Sequence, residues 1–303
     1  MLLTRRDLWK LLPVCAFGQN TAPTLFQVAC MTLPYAAFPF ERALAGIRNA
    51  GYRFVAWGTT HVDTTGATRP VLSVNGSPKD ALDIASRCRN VGLAPVMMFS
   101  GVNFEDASAV DAYKRRIDQA NAAGIGQIIV FGKTTAGSYS TVIGNLQLAA
   151  RHAEGSGTML VLKQHGGNTA TGEMCSRLIA DVGHAAVRMC YDAGNVLDYE
   201  NQDPLPDIQK CWRDVRSFAL KDHRNTPKDE DCGIGFGEID HYKLFAPVMR
   251  TGLTMPIAAE NIGAPLMPRP RTAEGVDRLA RRSREFLETV LTGLGSAIET
   301  KEG

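Results

Sequence analysis

QIIVFG at residues 127–132 and TMLVLK at 158–163 are unbroken apolar runs of strand length. Continuous apolarity, rather than alternation, is what a strand shows when both its faces are covered, as in a parallel sheet flanked by helices. Runs of the same kind lie at 25–32, 53–57, 93–99, 186–191, 215–220 and 255–259, making eight in all. Helical spacing fills the gaps, at Phe40 to Ala50, Lys79 to Asn90, Asp106 to Ala123, Tyr139 to Glu154, Thr171 to Asp181, Asp207 to Trp212, Asp240 to Arg250 and Thr272 to about Leu291. Several of these helices stop at a glycine suited to closing the last turn: Gly51, Gly92, Gly124, Gly183 and Gly252. Strand and helix alternate with a repeat of roughly 33 residues, and eight such units closing on themselves make a single (β/α)8 TIM barrel. An open doubly wound sheet is the competing architecture, but no strand turns through G-x-G-x-x-G into a helix. Gly233, Gly235 and Gly237 of GIGFGEID are spaced differently and read as a pliable loop leading into a helix, so no nucleotide cofactor is expected.

The chain has 303 residues, 45% hydrophobic and 21% charged, enough to bury a full core. With 33 Lys and Arg against 31 Asp and Glu, its formal charge of +2 is far from the single-sign field that binds phosphate backbones. Nucleic acid is therefore not an expected partner. No run of 18 apolar residues is present, so no ordinary membrane-spanning helix is expected. Thr4-Arg5-Arg6-Asp7-Leu8-Trp9-Lys10, followed by the short apolar stretch Leu11 to Phe17, resembles a twin-arginine export signal. Residues 1–23 are accordingly read as a leader to the periplasm, 24–298 as the barrel and 299–303 as a tail. The competing reading of the leader is a basic amphipathic first helix in a cytoplasmic protein. Cleavage would leave a formally neutral domain. The seven Cys include no C-x-x-C pair, which argues against zinc ribbons and redox pairs.

In a barrel of this type the site is assembled at the carboxyl ends of the strands. Those ends read Trp57-Gly58-Thr59-Thr60-His61, then Lys133, Lys163-Gln164-His165-Gly166-Gly167, Tyr191-Asp192-Ala193-Gly194-Asn195, Lys221-Asp222-His223-Arg224 and Glu260-Asn261. Glu260 stands out, because MPIAAE is apolar until its last residue. Asp192 has a bland alternative as a turn cap, and Asp222, His223 and Arg224 as an exposed charge cluster. His152, His184 and His241 fall on helices or their ends and are left as surface or core.

The order KQHGG, YDAGNV, LKDHR, GIGFGEID, AAEN resembles the sugar phosphate isomerase/epimerase family with the xylose isomerase-like barrel. The likeness is good over strands five to eight and loose before them. It implies an enzyme that moves a proton on a carbon next to a carbonyl of a sugar or keto-sugar, by isomerisation, epimerisation or elimination. It also implies a divalent metal held by a strand-five Glu, a strand-six Asp, a strand-seven His and a strand-eight Glu. Asp192 and Glu260 match the second and fourth of these. Lys163 stands where the first belongs and Ala219 where the third belongs. At an effective dielectric near 20, an ammonium about 4 Å from a dication is opposed by roughly 8 kcal/mol.

Two arrangements reconcile these residues. In the first, which the charge argument prefers, Lys163 and Lys221 supply positive charge and Glu260 or a lysine abstracts the proton, with no metal. In the second, a shifted site of Asp192, Glu260 and His165 or His223 holds manganese, zinc or magnesium. A carbohydrate ligand would stack on Trp57 and bond its hydroxyls to His61, Gln164, Asn195 and Asn261. The neutral mature charge favours an uncharged sugar, and self-association stays open. The leading alternative is a catalytically degenerate barrel that binds a carbohydrate or a protein partner. The related endonuclease activity at abasic sites expects more metal ligands and a basic face than this sequence has.

Overall fold

The computed structural model describes residues 22–132 and 138–299. All but the end of the expected leader, as well as Lys133, lies outside the described residues. Eight parallel strands form the barrel: β1 (Leu25–Met31), β2 (Phe54–Trp57), β3 (Ala94–Asn103), β4 (Gln127–Phe131), β5 (Met159–Lys163), β6 (Val187–Tyr191), β7 (Val215–Leu220) and β8 (Thr254–Ala259). Each pairs with its sequence neighbour, and β8 returns to β1 in a register running from Leu25 opposite Thr254 to Cys30 opposite Ala259. The sheet is therefore closed, as the eight apolar runs predict. The expected barrel ends on a further pairing, Ala297–Ile298 with β1, and Glu299, the first residue of the expected tail, still donates its N–H to the Phe26 carbonyl at 2.9 Å.

Around the barrel lie α1 (Phe40–Asn49), α2 (Pro78–Asn90), α3 (Ala109–Ala123), α4 (Tyr139–Ala153), α5 (Gly172–Val182), α6 (Ala193–Glu200), α7 (Pro204–Cys211), α8 (His241–Phe245) and α9 (Ala273–Gly293). Two departures from the sequence reading bear on the site. Residues 193–200, outside the helices read from the sequence, form α6, capped by Asp192, whose Oδ1 accepts the Asn195 N–H at 3.0 Å. The stretch expected as one helix from Asp240 to Arg250 is helical only to Phe245 and then tightens into a 3-10 turn at Ala246–Val248, where Pro247 cannot continue the α-helical bonding.

Residues of alternate parity on each strand face inward. Ala29, Ala56, Met97, Ile129, Val161, Cys190, Ala219 and Ala258 meet in the barrel interior, all fully buried. The other parity packs beneath the helices in the larger core. Two residues beyond the interior layer, the inward face reaches the carboxyl-terminal mouth, and its phase fixes which side chains stand there. β1 to β4 contribute Met31, Gly58, Phe99 and Phe131; β5 to β8 contribute Lys163, Asp192, Lys221 and Glu260.

Candidate active site

Lys163 ends β5, is buried, and carries its ammonium to 2.7 Å from Asp192 Oδ2 and 3.2 Å from Glu260 Oε2. The Lys163 side chain is 5% exposed, Asp192 0% and Glu260 14%. Burial alone would push the Lys163 pKa down, and the charges of Asp192 and Glu260 more than reverse that, holding it above the ordinary lysine value. Glu260 moves the other way: burial raises its pKa above the usual carboxylate range, while Lys163 opposes the shift and the Asp192 charge adds to it. Lys221, the inward residue beyond β7, pairs with Asp231 of the hairpin Asp222–Arg224 and Glu230–Cys232. Desolvation lowers the Lys221 pKa, and Asp192 and Asp231 reverse that to leave it raised. Gly194 makes room for this lysine, since a Cβ there would lie 2.5 Å from Lys221 Cγ.

Of Lys163, His165, Asp192, Lys221 and Glu260, expected to converge, Lys163, Asp192 and Glu260 meet directly, Lys221 acts electrostatically on Asp192 and Glu260, and His165 stands among aromatic rings. Asp192 has both roles considered for it, one oxygen capping α6 and the other facing Lys163. Gln164 and Asn195, expected to bind substrate hydroxyls, are instead buried in the framework. Gln164 Oε1 accepts the Asp192 N–H at 2.7 Å, and the Asn195 amide donates to the Gln164 carbonyl. Both therefore hold Asp192 in place, and hydroxyl binding passes to other groups. Trp57 is likewise corrected: its inward neighbours in sequence are Ala56 and Gly58, so its ring faces the helices, 1% exposed, with the indole N–H 3.4 Å from Cys88 Sγ on α2. His61 is buried in the hairpin after β2, its Nδ1 2.9 Å from the Phe38 carbonyl and its ring edge-on to Phe40. Burial lowers its pKa, and it lines a separate cavity with Phe40, Arg69 and Arg87. Asn261 stays at the mouth, its Oδ1 accepting the Gly263 N–H at 2.9 Å.

The four expected metal candidates do not come together as one ligand set. Asp192 and Glu260 are paired with Lys163. His223 faces other acids, with Nδ1 3.1 Å from Asp231 and Nε2 3.2 Å from Asp229. His165 stands among rings, 4.9 Å from Phe131 and 5.7 Å from Tyr199 by centroid. The residues at the family's metal position thus do not fit a dication, because an ammonium already lies against the two carboxylates that would bind it. Among the described residues one other grouping has metal-like spacing, Asp198, His223 and Asp229, with ligand atoms within 4.8 Å of one another and both carboxylates on the exposed side. Asp222 and His223 are buried, contrary to an exposed charge cluster. Asp222 instead organises GIGFGEID, accepting the N–H groups of Gly235 at 2.9 Å and Ile239 at 3.2 Å. Arg282 closes the other side by donating to the Gly235 carbonyl at 3.0 Å, so this loop is pinned rather than pliable.

Sequence reasoning missed the aromatic wall of the mouth. Phe99 lies edge-on to Phe131 at 5.9 Å, Phe131 meets His165, and His165 meets Tyr199 of α6, giving a line of rings from β3 to the charged cluster. The signal was available for Phe99 and Phe131 in their phase, two residues beyond interior Met97 and Ile129. Tyr199 had none, because α6 was not anticipated. Asp231 lies in a hairpin without periodicity.

A family profile described as the xylose isomerase-like TIM barrel matches residues 44–286. No curated protein sequence matches the chain. Solved structures do resemble it. A xylose isomerase-like TIM barrel protein from Mycobacterium smegmatis in complex with magnesium has a TM-score of 0.67 at 17% identity, over 91% of this chain and 99% of that one. L-ribulose 3-epimerase gives 0.66 at 15%, over 89% and 95%. D-allulose 3-epimerase from Methylomonas sp. in complex with D-allulose gives 0.63 at 14%, over 89% and 98%. At these identities the likeness establishes the fold alone.

Proposed function

The chain belongs to the xylose isomerase-like TIM barrel family, and from that premise we propose that it is a carbohydrate enzyme moving a proton on a carbon beside a carbonyl, with Lys163 in place of a divalent ion. The observation that carries this reading is the ammonium of Lys163 set between Asp192 and Glu260 at the inward ends of β5, β6 and β8. A keto-sugar lying on the ring line from Phe131 to Tyr199 would present its carbonyl end to the lysines. Glu260, a carboxylate whose pKa burial has raised, takes the proton from the adjacent carbon; that displacement brings it nearer the pKa that suits a general base at neutral pH. Negative charge then develops on the carbonyl oxygen, and Lys163 and Lys221, both held protonated, stabilise it from fixed positions. Glu260 then delivers the proton to the neighbouring carbon, with a hydroxyl proton passing between the two oxygens, which is isomerisation, or to the oxygen of a departing hydroxyl on the next carbon, which is elimination of water. Asp192 takes no part in the transfer and fixes Lys163.

Replacing Glu260→Gln keeps the shape of the side chain and removes the base. It should lower kcat on a keto-sugar substrate by about a hundredfold or more while leaving the folded state intact, read by steady-state kinetics beside circular dichroism. Wild-type activity should fall as pH drops through the raised Glu260 pKa, with no alkaline limb below the ordinary lysine range, since both lysines are shifted upward. Unchanged turnover in Glu260→Gln would remove this residue from the chemistry. Sugar binding by a wild type without turnover on any keto-sugar would favour the degenerate binding barrel.

A further inference from the structure

Beside the charged side of the mouth lies a cavity of about 580 Å3, within the size range of small-ligand sites. Asn261, next to Glu260 in sequence, and Asp231, the partner of Lys221, line it, so it adjoins the site described above. Three exposed arginines, Arg269, Arg271 and Arg278, line it as well. The cavity's acids are already neutralised by their own partners. Glu230 is paired with Arg224 at 2.6 Å and Lys228 at 3.2 Å, accepts the Leu266 N–H at 3.0 Å, and has its pKa lowered by these contacts, the Arg224 bond first. Asp231 is shared between Lys221 and His223. Among the described residues, no ion pair links Arg269, Arg271 or Arg278 to an acid. The wall therefore has uncompensated positive charge facing a space large enough for part of a substrate.

From this we infer that the substrate carries an oxyanion, a carboxylate or a phosphate monoester, seated on Arg269, Arg271 and Arg278 while its carbonyl end reaches Lys163, Lys221 and Glu260. The inference rests on the reading of the mouth as a carbohydrate site and adds a substrate class to it. It also replaces the uncharged sugar expected from overall charge: net charge sums the whole surface, whereas recognition depends on the few groups facing the ligand. Guanidinium is suited to the role, because its planar fork bonds two oxygens of one carboxylate or phosphate at once.

Binding of D-glucuronate, D-glucose 6-phosphate and D-glucose to the full chain, measured by calorimetry at low and high salt, tests it. At least one of the two acidic sugars should bind about tenfold or more tighter than glucose, and the difference should shrink with salt. Which acid binds better identifies carboxylate or phosphate as the source. The triple variant Arg269→Gln, Arg271→Gln, Arg278→Gln changes exposed side chains only, and it should erase that preference while glucose binding is unchanged. Equal binding of acidic and neutral sugars by the wild type, or a preference that survives in the triple variant, would overturn the inference. Glu260→Gln separates the two readings: charge preference should persist in it, so a failure of the proton-transfer mechanism shows in turnover and a failure of the oxyanion site shows in binding.

Discussion

The two halves of the barrel mouth occupy equivalent positions and have opposite chemistry. Two residues beyond the interior layer, β1 to β4 present Met31, Gly58, Phe99 and Phe131, and β5 to β8 present Lys163, Asp192, Lys221 and Glu260. The inward phase is the same on both sides, so the difference in chemistry lies in side-chain choice at that phase. In the first half apolar residues continue the core outward, and Gly58 and Phe99 border a cavity of about 330 Å3 that Trp57, Met98 and Arg116 also line. In the second half two cations and two carboxylates are buried against one another, which is tolerable only because each opposes the desolvation of the next. The contrast shows where charge is placed: it is confined to one side, and the other side is apolar.

The largest effect should come from breaking the charge balance of the second half. Lys163→Met preserves side-chain volume and leaves Asp192 and Glu260 facing each other without the ammonium that pairs with both, Lys221 alone remaining nearby. Removing one partner from a buried ion pair costs about 3 to 5 kcal/mol, so urea unfolding at pH 7 should show a loss of that order. The deficit should narrow as pH falls, because a carboxyl whose folded pKa is raised binds a proton more readily in the folded than in the unfolded chain, and folding then gains from acid. A variant as stable as wild type at pH 7 would mean that the three groups do not depend on one another. The corresponding apolar change, Phe131→Leu, has no charge to unbalance and serves as the control.

That asymmetry also explains how much could be read in advance. A charged residue ending an apolar run, as Lys163 ends TMLVLK and Glu260 ends MPIAAE, contradicts its surroundings and draws attention. Phe99 and Phe131 agree with theirs, so nothing in the sequence separates a ring lining a mouth from a ring filling a core. The eight strands were legible for the same reason that β1 to β4 hid their site residues: uninterrupted apolarity states burial and says nothing of what is buried against. Trp57 was misjudged because strand end was used without strand phase, and one residue of phase moves a side chain from the mouth to the helix layer. α6 was hidden by the Gly and Asn in YDAGNV, residues that usually mark turns. Here Gly194 is needed for the passage of the Lys221 stem, a long-range requirement that no local window contains.

A smaller effect should sharpen the role of the rings. Tyr199 is 44% exposed and touches His165, so Tyr199→Ala removes a stacking surface with little loss of core. Aromatic contacts of this kind are worth about 0.5 to 1.5 kcal/mol, which corresponds to roughly a two- to tenfold rise in KM for a sugar with kcat nearly unchanged. If kcat fell and KM did not, Tyr199 would belong with the reacting groups of the second half and the proposed division of labour would fail.

The smallest expected effect is none at all, and it bears on the whole comparison. Dialysis against EDTA should leave activity and Tm unaltered, because the cation that neutralises Asp192 and Glu260 is covalently part of the chain. A dication brought about 4 Å from that ammonium would be opposed by roughly 8 kcal/mol at an effective dielectric of 20, more than exposed acids elsewhere could offset on its behalf. Loss of activity restored by Mn2+ or Mg2+ would contradict this, and the geometry states where such an ion would then have to sit: at Asp198, His223 and Asp229, the one grouping with the spacing for it among the described residues. His223→Ala would abolish the restored activity in that case and leave EDTA resistance untouched in the other. The reacting charge would still lie in the second half of the mouth, but it would come from the loops above the barrel and no longer from the strands that build it.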